Sequence, residues 1–459
     1  MHGVTFTGLL AVASYELTLF AAVGMLLGGL DDLIVDGIYL WHRLQRWRRG
    51  ERRATLADMR PRGRRLAIFI AAWDEAAVIG DMLATLSRNL ASQRLTVFVG
   101  AYPNDRATID AIVTVAETDP RIRLVVNIQP GPTTKADCLN AIWRSMLVEE
   151  RAIRATFDAI ILHDAEDVVH PGELAVIDHH LSFAEAVQVP VIPLPHVGAP
   201  LVGGTYLDEF AEAHGKALVV RGAIGAGMPL AGVGCAIARP LLGGIAILRD
   251  GRPFDAASLT EDYELGLTIA AMGGRTCFAR VSDADGGLVA VRAYFPKAFT
   301  AAARQKARWM IGIALAGWDR TGWGPARHIG EWWMRMRDRR APVAMIVLLA
   351  AYLALALMVA RYLAGLAGAP MPPLPPFLLA LIGINIVLLA VRITVRAVFV
   401  ARLYGWREGL RSGPRMLVGN IVAMAASRRA LNRYVAMLRG APAQWDKTAH
   451  QFPDQPPKP

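Results

Sequence analysis

Ile160-Ile-Leu-His-Asp164-Ala-Glu166-Asp167 is an apolar strand that ends abruptly in three acids within four residues. Unpaired, these carboxylates would repel one another at the strand end. A divalent cation with hard oxygen ligands removes that penalty. Strand alternation places Asp164 and Glu166 on one side of the emerging chain. Taken alone, the tract could also be a solvated acidic loop.

Upstream, Leu66-Ala-Ile-Phe-Ile-Ala-Ala72, Thr96-Val-Phe-Val-Gly100 and Ile122-Arg-Leu-Val-Val126 read as buried strands. Helical spacing follows each, over 75–90, 108–117 and 135–150. Strand–helix alternation predicts an α/β domain with a parallel, doubly wound sheet. Ligands bind such sheets beyond the carboxyl ends of the strands. Neither GxGxxG after the first strand nor a Walker A sequence is present, so dinucleotide and P-loop readings fall away.

The 459 residues are 54% hydrophobic and 19% charged. Soluble domains carry about 45–50% and about 25%, so part of this chain belongs in a membrane. Val4 to Leu30, Ala341 to Ala360 and Phe377 to Val391 read as three spans, the last two joined by a Pro-rich turn, 368–376. Among the 44 arginines and six lysines, the arginines crowd the span flanks, over Arg43–Arg53, Arg335–Arg340 and Arg392–Arg407. The positive-inside rule then puts the N-terminus and the 368–376 turn outside, and the middle section and C-terminus in the cytoplasm. No basic-aromatic nucleic-acid motif accompanies the net charge of +11. The three separated cysteines exclude a disulfide scaffold. Pro414 to Ala426 reads as an interfacial amphipathic helix, with 31–50 and 325–340 either along the membrane surface or in the soluble core. Glu16, inside the first span, is expected to pack against another span or to touch a substrate.

Two further tracts complete the pattern. Thr260-Glu261-Asp262 could be a helix cap with acids in the first turn. Gln305-Lys-Ala-Arg308-Trp309 could be an amphipathic helix resting on the membrane surface, or a phosphate grip beside a flat face for a sugar or a base.

In order and interval, the three tracts resemble the DxD-type, TED and QxxRW motifs of the family 2 membrane glycosyltransferases, relatives of cellulose, hyaluronan and poly-N-acetylglucosamine synthases. The resemblance covers about 64–325 with the flanking spans. It implies a GT-A fold and an inverting, metal-dependent hexosyltransferase. Such an enzyme uses a nucleotide sugar, a UDP-sugar in the first instance, with Mg2+ or Mn2+. By this resemblance Asp164, Glu166 and Asp167 form the metal cluster, with Asp164 also near the ribose, and Asp262 is the general base. Glu75, Lys135, Asn140, Gln305 and Arg308 bind the donor, while Glu261 and Trp309 face the acceptor. Val99-Gly-Ala-Tyr-Pro-Asn-Asp105 departs from the family's uracil-reading acids; Tyr102 or Asp105 would substitute. His163 is expected to pack at the strand end, or to touch the metal.

Gly29-Leu-Asp-Asp-Leu33, Phe98–Asp105 and Trp445-Asp-Lys-Thr-Ala-His450 carry a closer likeness, to bacterial inner-membrane members whose exopolysaccharide serves in phage adsorption. The implied partners are the donor, a polysaccharide or lipid-linked acceptor, membrane lipids, and a second copy or an export protein. A single-sugar transferase acting on a lipid carrier and a non-catalytic subunit are the alternatives. The organisation expected is a span (1–30), a basic juxtamembrane segment (31–63), the GT-A domain (64–325), an interfacial segment (326–340), a transmembrane hairpin (341–400) and a cytoplasmic amphipathic segment (401–459). No C-terminal regulatory domain is expected before Pro459.

The arginine asymmetry makes the topology testable. Reporter fusions at Arg53 and Ser412 should read as cytoplasmic, and a fusion at Pro372 as external. An external signal at Arg53 would overturn the assignment.

Overall fold

Short apolar runs punctuated by helical periods fold here around one twisted sheet. The structure, a computed structural model, describes residues 6–90, 92, 94–324, 328–369, 372–441 and 450–453. The strands are β1 (Leu66–Ala71), β2 (Leu95–Ala101), β3 (Ile122–Val126), β4 (Ala159–His163), β5 (Ala186–Gln188), β6 (Val191–Pro193), β7 (Cys235–Ala238), β8 (Thr276–Phe278) and β9 (Val291–Ala293). Seven form the sheet β3-β2-β1-β4-β7-β5-β8, and β6 and β9 make a separate parallel pair. The parallel pattern expected from the alternation holds from β3 to β4. Strand β7 instead runs antiparallel to β4 and β5. A four-residue strand outside the regular strand–helix alternation carries no periodicity from which its direction could be read.

Every residue of β1 and β4 is buried, as both-faces-covered strands require. Alternate side chains enter different cores. Ile68 and Ile70 pack with α2 (Ile79–Asn89), α3 (Arg106–Ala116) and α5 (Glu173–His180). Ala67 and Phe69 face α4 (Lys135–Ile153), α8 (Arg239–Leu248) and α9 (Glu261–Ala271).

Three helices are long and apolar enough to cross a membrane: α1 (Phe6–Arg48), α13 (Ala341–Leu366) and α14 (Pro376–Tyr404). Val4, the expected start of the first span, lies outside the described residues. Helix α1 packs against both α13 and α14. Gly24 permits the approach to α13, because a Cβ there would lie 2.6 Å from Val347 Cγ2. Glu16 stays exposed on the helix surface instead of packing against a neighbouring span.

Helix α1 does not stop at Leu30. At about 1.5 Å per residue it outruns the bilayer, so residues 31–48 continue it rather than forming a separate segment. Its acids are answered: Asp31 by Arg337, Arg340 and the Trp333 indole, Asp32 by Arg392 at 2.8 Å, and Asp36 by Lys216. Paired carboxylates give the helix no reason to break there.

Between β6 and β7 lie α6 (Val202–Glu212) and α7 (Leu218–Ala223), joined by a π-helical turn, Ala213–Ala217. After β9 come α10 (Phe299–Met310), the π-helical turn Ile311–Leu315, α11 (Ala316–Thr321) and α12 (Ile329–Arg339). The expected short interfacial helix at 414–426 is the middle of a much longer one, α15 (Trp406–Leu438), which carries Pro414 inside it. Helix α15 packs on α14, α10 and α6. One face buries Arg415, Val422, Ala426 and Ala430, while Leu417 and Ile421 stay exposed on another.

The seat of α4 on β2 depends on Gly100, where a Cβ would lie 2.5 Å from Cys138 Sγ. Gly100→Ala should destabilise the domain by about 1–3 kcal/mol through overpacking. Thermal unfolding in detergent checks this, and an unchanged melting temperature would contradict the tight seat.

Candidate active site

Four sheet-end features converge. The turn after β1 carries Glu75, and β4 delivers Asp164 and Glu166. Lys135 opens α4, behind Thr134, whose side chain caps that helix by accepting from Asp137 N. Glu261 and Asp262 occupy the first turn of α9. Helix α10 closes the far wall with Gln305, Arg308 and Trp309. Apart from Asp137, all of these residues line one cavity of about 740 Å³. This is the carboxyl-end location expected of a doubly wound sheet.

Lys135 Nζ pairs with Asp164 and lies 3.9 Å from Glu261. Burial alone would depress the lysine, but Asp164, Glu261 and Asp262 raise it, so it stays charged. Burial likewise opposes ionisation of Asp164, and Lys135 holds its carboxyl below the usual range. Asp262 is pushed up to about 7 by burial and by Glu261, against the pull of Lys135. A carboxylate near neutrality suits proton abstraction. Burial pushes Glu166 up to about 8, against the pull of His450.

Several polar atoms at the cavity are buried with no hydrogen-bond partner among the described residues: Glu166 Oε2, Gln305 Oε1, Arg308 Nε and Thr260 Oγ1. A buried group left unsatisfied costs about 1–3 kcal/mol. A bound cation would satisfy the Glu166 oxygen, and a diphosphate the Arg308 guanidinium, so these residues fit both groups. Thr260 stands at the N-cap position of α9 but makes no side-chain capping bond, which removes the main support for a capping role.

Not every expected residue reaches the cavity through its functional atoms. The Asp167 carboxylate turns back, 3.0 Å from His163 Nδ1, and accepts from Asp164 N at 2.9 Å. It fixes the acid tract instead of adding a third oxygen. His163 is held between Asp167 and Glu173, at 2.8 Å from the latter. Despite burial, Glu173 and Asp167 raise it to about 10, so it is a buried imidazolium that packs at the strand end and does not face the cavity. Asn140 spends its amide on Phe254, donating to the carbonyl at 2.8 Å and accepting from the N–H at 3.1 Å. Tyr102 is fully buried and bonds Thr133 at 2.8 Å, while Asp105 caps α3 and accepts from Asp74 N. Neither lines the cavity. Trp309 does, and it packs edge-on to Tyr206.

The C-terminal tail brings a further residue to these acids, His450. His450 Nδ1 lies 2.7 Å from Glu75 Oε1 and 3.3 Å from Glu166 Oε2. Its only sequence signal is its place in the Trp445–His450 tail, of which 445–449 lie outside the described residues.

Residues 61–312 match the family described as Glycosyltransferase like family 2. The chain is 34% identical over 463 residues to bacteriophage adsorption protein B of Escherichia coli, and equally to bacteriophage N4 adsorption protein B of a second strain. The alignment takes in 94% of this chain and 61% of each relative, so the chain spans about three fifths of their length. A solved mannosyltransferase from Pyrobaculum calidifontis, in complex with GDP-Man and Mn2+, has a similar fold. It is 18% identical with a TM-score of 0.55, over 90% of this chain and 99% of that one.

The position of Asn140 separates a structural from a binding role. Asn140→Ala should cost about 1–3 kcal/mol by orphaning the Phe254 backbone. The affinity of the folded fraction for a nucleoside diphosphate, read by calorimetry, should not change. A large loss of affinity at unchanged stability would restore Asn140 to the donor site.

Proposed function

The chain belongs to the family 2 glycosyltransferases, and we propose that it transfers a sugar, with inversion, from a nucleotide-sugar donor to a growing surface polysaccharide at the cytoplasmic face of a bacterial inner membrane. One observation carries this reading. Lys135, Asp164, Glu166, Asp262, Gln305 and Arg308 meet in a single cavity in which, among the described residues, buried polar atoms of Glu166, Gln305 and Arg308 have no hydrogen-bond partner. That array matches a donor diphosphate and its cation.

In this mechanism Glu166, beside Asp164, would hold Mg2+ or Mn2+, which when bound would supply charge neutralisation for the departing diphosphate. Arg308 donates to the diphosphate oxygens in a charge-assisted contact, and Gln305 steadies them. Lys135 keeps Asp164 ionised at the donor side. Asp262 takes the proton of the acceptor hydroxyl as it attacks the anomeric carbon, and Trp309 stacks on the acceptor sugar. Glu75 borders the nucleoside end. The relatives named for phage adsorption support a cell-surface polymer as product. We read export of the polymer as shared with a second copy or an export partner.

The test is release of nucleoside diphosphate from a panel of UDP- and GDP-sugars by the purified chain, with Mg2+ or Mn2+ and then with EDTA. Activity in EDTA would remove the cation from the reading. No release with any donor would favour a non-catalytic subunit, and single-sugar lipid products would favour transfer to a lipid carrier. Asp262→Asn should cut transfer by about 10²–10⁴-fold with diphosphate affinity nearly intact, whereas Arg308→Ala should lose both. Because the base must shed its proton, turnover should rise with pH and level off at or above about 7, where burial and Glu261 hold Asp262. If Asp262→Asn melts early yet transfers at the wild-type rate, the base lies elsewhere.

A further inference from the structure

The acids and the phosphate grip account for only part of the cavity. From Trp309 a chain of rings continues. Phe295 stands 6.4 Å from Trp309, Phe210 stands 4.7 Å from Phe295, and His214 stands 5.3 Å from Phe210 with the two planes 12° apart. Beside Phe295 in sequence, Tyr294 stacks on His196 at 4.5 Å. All six rings line the cavity. The π-helical turn Ala213–Ala217 carries His214, and such turns recur at functional sites.

The two imidazoles present opposite hydrogen-bonding edges. His214 Nδ1 accepts from Val191 N at 3.1 Å, so the ring proton sits on Nε2. Burial and nearby Arg280 push His214 down to about 3, which keeps it neutral. His196 Nε2 donates to the Phe295 carbonyl at 2.6 Å, which leaves Nδ1 a bare lone pair. Burial and Lys297 hold His196 below the usual histidine range. Neither His214 Nε2 nor His196 Nδ1 has a hydrogen-bond partner among the described residues. An N–H donor and a lone pair, both uncharged, are therefore left on an aromatic wall.

A largely apolar pocket orients its ligand through a few placed polar groups. A hydroxyl both donates and accepts, so it answers either imidazole. A pyranose adds C–H faces that cover flat rings. A carboxylate can only accept, and a buried charge needs a partner. Lys297, the cation beside His196, is exposed and donates to Gln451 at 3.3 Å. Resting on the transferase reading above, we propose that His214 and His196 bind hydroxyls of an uncharged acceptor glycan, which lies along Phe210 and Phe295 past the sugar on Trp309. These two histidines then set the acceptor class.

The full chain in detergent is titrated by calorimetry with glucose, mannose and N-acetylglucosamine tetrasaccharides, and with a galacturonate tetrasaccharide. Wild type should bind at least one neutral tetrasaccharide about tenfold more tightly than the uronate. His214→Phe keeps a ring on Phe210 and drops the N–H, so it should lose about tenfold in affinity. His214→Gln restores an N–H and should recover most of that loss. His196→Phe removes the lone pair and should lose a similar factor. Affinity for UDP or GDP should not move in any of the three. Nitrogen-15 spectra of the histidine-labelled wild type need no variant to fold: the neutral sugar should shift a protonated nitrogen of His214 and a bare nitrogen of His196. Wild-type affinity in both Phe variants, tighter binding of the uronate, no binding of any tetrasaccharide, or unshifted histidine signals overturns the assignment. Release of nucleoside diphosphate from a donor would still uphold the transferase. Intact tetrasaccharide binding without such release from any donor brings down the transferase and keeps the glycan site.

Discussion

Repulsion among buried carboxylates is the constraint around which the site is organised. Glu75, Asp164, Glu166, Glu261 and Asp262 face one cavity, where low dielectric magnifies like-charge contacts. Four of these five acids are held by a specific cationic counterpart. Lys135 serves Asp164 and Glu261, and His450 serves Glu75 and Glu166. One layer behind, the His163 imidazolium lies between Asp167 and Glu173. The balance is incomplete: among the described residues Arg308 Nε has no hydrogen-bond partner, and Glu166 Oε2 has none beyond its ion-pair contact with His450. On the proposed reading, a cation and a diphosphate would supply the charges that these two groups lack.

The same logic joins the catalytic domain to the membrane helices. Helix α6 presents three acids in three directions. Asp208 takes Arg415 of α15 at 2.7 Å, Glu209 takes Lys306 of α10, and Glu212 takes Arg392 and Arg396 of α14 at 3.0 and 3.1 Å. Arg415 and Asp208 are almost fully buried. Buried pairs add little net stability, but losing one partner strands the other. Their consequence here is geometric. Lys306 lies in the turn of α10 that holds Gln305 and Arg308, so the wall of the candidate-site cavity is tied through α6 to the apolar helices.

Much of the architecture was legible because its causes are local. Strands β1 to β4 and helices α2 to α4 follow from hydrophobic period and turn residues, each visible within a dozen positions. The Asp164–Asp167 tract, Thr260–Asp262 and Gln305–Trp309 could be picked out one by one, and the structure places all three at one cavity. The periods failed where a long-range partner changed the outcome. Asp31 and Asp32 look like the end of a span, but arginines over 300 positions away neutralise them and α1 runs on. Pro414 looks like a helix boundary, but α15 continues past it with Arg415 anchored to Asp208 and Glu408.

By itself the sequence determined the alternating α/β core, the three apolar helices with their arginine-rich flanks, and which tracts bring acids and an arginine to the candidate site. Only the tertiary structure decided where each side chain points. Asp167 and Asn140 turn into the fold, Lys135 turns into the cavity, and His450 reaches Glu75 across 375 positions. The reason is physical: periodicity reports how a residue sits on its own helix or strand. Contact between a first-strand turn and a C-terminal tail exists only once the sheet, its flanking helices and the spans have closed around one another.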